Sequence, residues 1–267
     1  MAAFQTPDGR FGYEAEGSPD APPLVFLHGI GGAARAFHAQ IEHFAGRFRA
    51  VAWDMPGYGG SAPLATVSIS TLADSLAAFL AALDLRRPIL VGHSIGGMIV
   101  QQALAAQPAI ARAVVLAQTS PAFGSADGDW QRQFIEARLG PLDRGATMPA
   151  LAADLVADMI GDAPDPEGVA VARACMAAAS EDTYRQSVRA LLGFDQRASL
   201  ASIVVPTLVL AGTRDRNAPA PMMERMAGRI PGARYIALEG SGHLANLEQP
   251  ARFNAALDEF LLALAPA

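Results

Sequence analysis

The chain has 267 residues, a formal net charge of −6, 51% hydrophobic residues and 17% charged residues. That composition excludes a disordered chain and bounds the protein to one large globular domain, or one domain carrying an insertion. The acidic balance argues against nucleic acid or an anionic membrane as partner. All 20 basic residues are arginine, which rules out Schiff-base chemistry, pyridoxal phosphate attachment and the lysine of a Walker loop.

No apolar run approaches the roughly 20 residues of a membrane span. The N-terminal residues carry no basic start and no apolar h-region, so no secretory signal is expected. The single cysteine, Cys175, cannot form an internal disulfide. Cytoplasm is the expected location.

In chain order, Arg10 to Gly17 reads as an early strand ending at the turn Ser18-Pro19-Asp20. Pro23-Leu24-Val25-Phe26-Leu27 is a short, apolar, buried strand. It runs into His28-Gly29-Ile30-Gly31-Gly32. Phe37, Ile41, Phe44 and Phe48 then recur at helical spacing, and Arg49 to Trp53 is the next strand. A glycine-rich loop, Asp54-Met55-Pro56-Gly57-Tyr58-Gly59-Gly60-Ser61, follows. Thr71 to Leu83 is an amphipathic helix with Ser70 or Thr71 expected as its cap. Pro88 to Val91 is a strand, Met98 to Gln107 a helix, and Ala113 to Ala117 a strand. This alternation predicts a parallel sheet with helices on both faces.

The rhythm breaks between about 121 and 204. Four helical stretches replace the strands, around Trp130–Leu139, Met148–Ile160, Glu167–Ala179 and Glu181–Leu192. They predict a helical lid over 121–204, inserted into a core of 1–120 and 205–267. Strands resume at Pro206–Ala211 and Ala233–Leu238, and a helix closes the chain from Pro250 to Leu264.

The chemistry centres on Gly92-His93-Ser94-Ile95-Gly96-Gly97, a G-x-S-x-G between a strand and a helix. Such a turn brings backbone segments close, so side chains at 92 and 96 would clash. Ser94 would sit at the tip with its hydroxyl exposed, and the amide of Ile95 would face the same space. A five-residue match of this kind also arises by chance in a glycine-rich chain, so an acid and a histidine are needed in the right order. Asp215 follows the strand ending at Ala211, and His243 follows the strand ending near Leu238. Each alone is equally an ordinary turn residue or cap. Jointly they give the order Ser, Asp, His on loops after the carboxyl ends of strands. The roles expected are Ser94 nucleophile, His243 base and Asp215 its orienting acid. A second oxyanion amide is expected from Ile30. His28 is expected to be structural.

Together these pieces resemble the α/β-hydrolase fold over nearly the whole chain: a mostly parallel, doubly wound sheet with an inserted helical lid. Within it the chain looks most like the small, lidded bacterial branch of 3-oxoadipate enol-lactonases, related esterases and meta-cleavage C–C hydrolases. The resemblance implies a structural loop at Asp54 and a lid that supplies the substrate pockets. The serine nucleophile sets the chain apart from the dehalogenase and epoxide-hydrolase branches, which use aspartate. It also implies hydrolysis of a small-molecule ester or lactone without cofactor or metal, with C–C hydrolysis of a diketone as the alternative. A non-enzymatic binder on the same fold is a further alternative.

Trp130, Phe134, Met159 and Tyr184 are the candidate pocket residues of the lid, although helical spacing suits lid core as well. One of Arg132, Arg138, Arg173, Arg185 and Arg189 would bind a carboxylate if the substrate carries one; the sequence does not single it out. Gly29-Ile30-Gly31-Gly32-Ala33-Ala34, with Asp54 20 residues beyond Ala34, imitates a dinucleotide-binding fingerprint. An NAD-binding oxidoreductase would leave Ser94, Asp215 and His243 unexplained. His38 and His43 lack the spacing of a helical zinc pair, and Cys175 reads as a packing residue. Oligomeric state is not readable.

Overall fold

The computed structural model describes residues 3–124 and 128–264. Residues 125–127 of the expected lid, and the Met1-Ala2 start, lie outside the described residues. Eight strands form one sheet: β1 (Ala3–Gln5), β2 (Gly12–Glu16), β3 (Pro23–Leu27), β4 (Arg49–Trp53), β5 (Ile89–His93), β6 (Ala113–Ala117), β7 (Thr207–Gly212) and β8 (Arg234–Leu238). Their order is β1-β2-β4-β3-β5-β6-β7-β8. β1 and β2 pair antiparallel, β2 pairs antiparallel with β4, and every pairing from β4 to β8 is parallel.

The helices are α1 (His38–Phe44), α2 (Ile69–Ala82), α3 (Ile95–Ala106), α4 (Asp129–Asp143), α5 (Met148–Met159), α6 (Pro166–Ala178), α7 (Glu181–Ala190), α8 (Ala220–Ala227), α9 (Ala245–Glu248) and α10 (Pro250–Leu262). The central strands are apolar on both faces because both faces are covered. Val25 and Leu27 of β3 point into one core with α2, α3 and α8, whereas Leu24 and Phe26 point into the other with α1 and α10. β7 divides likewise, with Val209 and Ala211 on one side and Leu208 and Leu210 on the other. Period-2 side-chain alternation thus feeds two layers from one strand.

Between β6 and β7 the chain forms α4 to α7, which share a core of their own built around Leu139, Leu151, Val156, Met176, Tyr184 and Val188. Several details differ from the sequence expectation. α2 starts two residues earlier than predicted and is capped by Ser68, not by Ser70 or Thr71. Ser68 Oγ accepts from Thr71 N at 3.1 Å while Thr71 Oγ1 accepts from Ser68 N at 3.0 Å, a capping box. The edge strand β1 and the short helices α8 and α9 were not anticipated. β1 is three residues long and exposed, so it lacks the apolar alternation that marks the others.

Candidate active site

β5 delivers the chain into a turn that leaves Ser94 at φ 55°, ψ −121°. That conformation is costly for a residue with a side chain and persists only when its surroundings fix it. Here they do. Ser94 N donates to Ala117 O at 3.0 Å, and Ser94 O accepts from Thr119 Oγ1 at 2.7 Å and from Gly97 N at 2.9 Å. A Cβ on Gly92 would lie 2.6 Å from Gly96 O, and one on Gly96 would collide with Leu27 O. Both positions therefore accept only glycine, as the close approach of strand and helix predicted.

The loops after β7 and β8 bring Asp215 and His243 to the same point. His243 Nε2 lies 3.0 Å from Ser94 Oγ, and His243 Nδ1 lies 2.8 Å from Asp215 Oδ2. Asp215 can only accept, so Nδ1 carries the proton, and Nε2 is free to accept from the serine hydroxyl. Asp215 Oδ1 also accepts from Asn217 N at 2.8 Å and Ala218 N at 3.0 Å. Burial disfavours the Asp215 carboxylate, but His243 and these amides outweigh it and hold its pKa below the ordinary value.

The backbone of His243 is clamped on both sides, a role the sequence announces for neither partner. His243 N donates to Met159 O at 2.7 Å. His93 Nε2 donates to His243 O at 2.6 Å. Burial, and next the repulsion that a protonated His243 would add, push His93 down to about 3, so it is neutral and has one ring proton for this bond. Glu248, buried at 2% exposure, accepts from Gly242 N at 2.9 Å, Leu244 N at 2.9 Å and Gly161 N at 2.7 Å. One carboxylate thus holds the residues before and after His243 and the chain just past α5. The only sequence signal for it was an acid five residues after the histidine.

Ile95 N opens α3 and so has no intrahelical acceptor. Ile30 lies in the loop after β3, closed by Gly32 N to Gly29 O at 2.9 Å. Neither amide meets an acceptor among the described residues. His28 has a structural place: its Nε2 accepts from Met55 N at 2.9 Å and its Nδ1 donates to Gly29 O at 2.7 Å. Asp54 is occupied too, with Oδ1 accepting from Ala34 N at 2.7 Å and Oδ2 from Gly60 N at 2.9 Å. Spent on these amides, it is not free to take the ribose of a dinucleotide, and the fingerprint imitation fails there.

A narrow cleft, with about 80 Å³ of interior space, lies over Ser94 and His243. Trp130, Phe134, Met159 and Tyr184 all line it, as do Leu155 and Met176. Met148, by contrast, is buried among the α4–α7 helices. Among the described residues no cluster of three histidine, cysteine or carboxylate side chains has the arrangement of a metal site. His38 pairs with Glu14 and His43 with Asp258. Cys175 is buried in α6 and accepts from Arg35 Nε at 3.1 Å. Among the described residues no helix is long and apolar enough to cross a membrane.

A family model described as alpha/beta hydrolase matches residues 24–256. RutD of Pseudomonas savastanoi pv. phaseolicola, a carbamate hydrolase by provisional assignment, is 32% identical over 249 residues, covering 91% of this chain and 94% of that one. 3-Oxoadipate enol-lactonase 2 of Acinetobacter baylyi is 28% identical over 255 residues, covering 94% and 92%. The crystal structure of a hydrolase from Pseudomonas aeruginosa PA01 is 30% identical, with a TM-score of 0.84 and 98% of each chain covered. The family match reaches from β3 to α10, and it takes in Ser94, Asp215 and His243; the chain belongs to the alpha/beta hydrolase family.

Proposed function

We propose that the protein hydrolyses a small-molecule carboxylic ester or lactone through an acyl-enzyme on Ser94. The observation that carries this reading is the line Ser94–His243–Asp215, at 3.0 and 2.8 Å, at the floor of an apolar cleft. His243 takes the Ser94 proton as Oγ attacks the carbonyl carbon, and Asp215 stabilises the resulting imidazolium. The amides of Ile30 and Ile95 donate to the oxyanion; losing one such donor typically costs about a hundred- to a thousandfold in rate. His243 returns the proton to the leaving alkoxide. Water, deprotonated by His243, then releases the acid and restores Ser94. The α4–α7 helices act as a lid whose apolar side chains hold the substrate.

The likeness to an enol-lactonase supports a lactone or ester. The likeness to RutD adds carbamates as a second reading, since the same nucleophile, base and oxyanion donors serve that acyl transfer. The test is labelling by a p-nitrophenyl phosphate triester, read by intact mass and peptide mapping. One adduct on Ser94, absent in Ser94→Ala and slowed in His243→Ala, is expected. A stoichiometric adduct elsewhere, or none, overturns the assignment. If esters, lactones and carbamates are all inert, vinylogous diketones are the next substrates to assay.

A further inference from the structure

Among the described residues Arg138 is the one arginine that the lid turns into the cleft over Ser94. Its fellows on the lid are spent or exposed. Arg132 pairs with Asp129, Arg185 bridges Asp143 at 2.6 Å and Glu181 at 2.8 Å, and Arg144 meets Glu136 at 2.8 Å. Arg173 and Arg189 face solvent. Arg138 has no ion-pair partner among the described residues. Burial lowers its pKa to about 10, against the opposing pull of Tyr184 and Asp158, so it keeps its charge at neutral pH.

The guanidinium is nonetheless held in place. Its carbon lies 3.3 Å from the centre of the Phe134 ring. One nitrogen donates to Asn217 Oδ1 at 3.0 Å and the other to Phe134 O at 3.4 Å. Those contacts use two of five N–H groups, and the remaining three have no acceptor among the described residues. Asn217 also donates its own amide to Asp215, so one loop positions both the acid beside His243 and the cation in the cleft. Tyr184 lines the same space, and its hydroxyl makes no hydrogen bond among the described residues. A fixed, partly desolvated cation with free donors in an otherwise apolar cleft is a built receptor for a carboxylate.

We propose that Arg138, assisted by the Tyr184 hydroxyl, binds a carboxylate of the substrate, which is therefore an ester or lactone bearing a free carboxylate away from the scissile bond. The proposal rests on the reading of Ser94 as nucleophile and names the substrate class of that site. The experiment compares p-nitrophenyl half-esters of the C5 to C8 linear diacids with p-nitrophenyl esters of monoacids of equal chain length. The wild type favours the anionic member at one or more lengths. In Arg138→Gln the ratio of kcat/KM, anionic over neutral, falls by about 10- to 100-fold, the size of a charged hydrogen-bonded contact. The change appears chiefly in KM. A thermal melt checks that the variant folds.

A second measurement needs no variant. Free diacids inhibit the wild type competitively, at least tenfold more strongly than their diamides. The proposal is overturned if the neutral member wins at every length, if Arg138→Gln loses the same factor on both members, or if diacid and diamide inhibit alike. These outcomes sink the anion site alone when neutral ester turnover still depends on Ser94. Turnover that survives Ser94→Ala sinks the underlying hydrolase reading instead.

Discussion

Glu248→Gln isolates the clamp on the backbone flanking His243. The carboxylate accepts three amide hydrogens, one buried and two partly buried, two at Oε2 and one at Oε1. Glutamine keeps the shape but has only one accepting oxygen. With that oxygen facing Gly161 and Gly242, its NH₂ must face the N–H of Leu244, donor against donor. A hydrogen bond to a charged group is worth about 1.5–3 kcal/mol, and leaving a buried donor unmet costs about 1–3 kcal/mol. The variant should therefore lose about 2–4 kcal/mol of stability, lowering Tm by roughly 4–8 °C at this chain length. Because the lost bond adjoins His243, the imidazole should shift relative to Ser94. Misplacement of about 1 Å costs on the order of a hundredfold, so kcat should fall by about 10- to 100-fold with KM changed by less than about threefold. Thermal melts and ester kinetics well below Tm read the two effects separately. Full kcat with a lowered Tm would make Glu248 a stabilising residue only, and no change in either would refute the clamp.

Gly96→Ala should fold poorly or not at all, because its Cβ would enter the carbonyl of Leu27 at the end of β3; soluble yield and Tm report this, and a variant as stable as wild type would contradict the packing described. His93 makes stability fall with acid. Its pKa is about 3 in the folded protein against an ordinary 6.5, so between those values the unfolded chain binds one more proton and stability rises with pH. From pH 7 to pH 5 this single group should cost about 2 kcal/mol. Urea midpoints across that range should show a shallower pH slope in His93→Gln, and an identical slope would refute the assignment.

The sheet was legible where both faces are buried. β3, β4 and β6 coincide with the predicted strands residue for residue, since each carries a run of at least four apolar residues. The helices between β6 and β7 were legible as types and less so as boundaries: α4 runs on through Pro141 to Asp143, where the end was expected at Leu139. In the site, Ser94, Asp215 and His243 were readable because motif and strand order announce them. Glu248 and His93 were not, because they act on backbone atoms, Glu248 on the amides of Gly242, Leu244 and Gly161 and His93 on the carbonyl of His243 150 positions away, and no local spacing encodes that. Arg138 stood among five equal arginines until packing paired or exposed the other four.

The most direct measurement is p-nitrophenol release from short acyl esters by the wild type and by Ser94→Ala, side by side. Turnover by the wild type and a loss of at least about three orders of magnitude in the variant are expected, with residual rate from the oxyanion donors and binding alone. Equal rates in the two proteins would contradict the assignment of Ser94 as nucleophile.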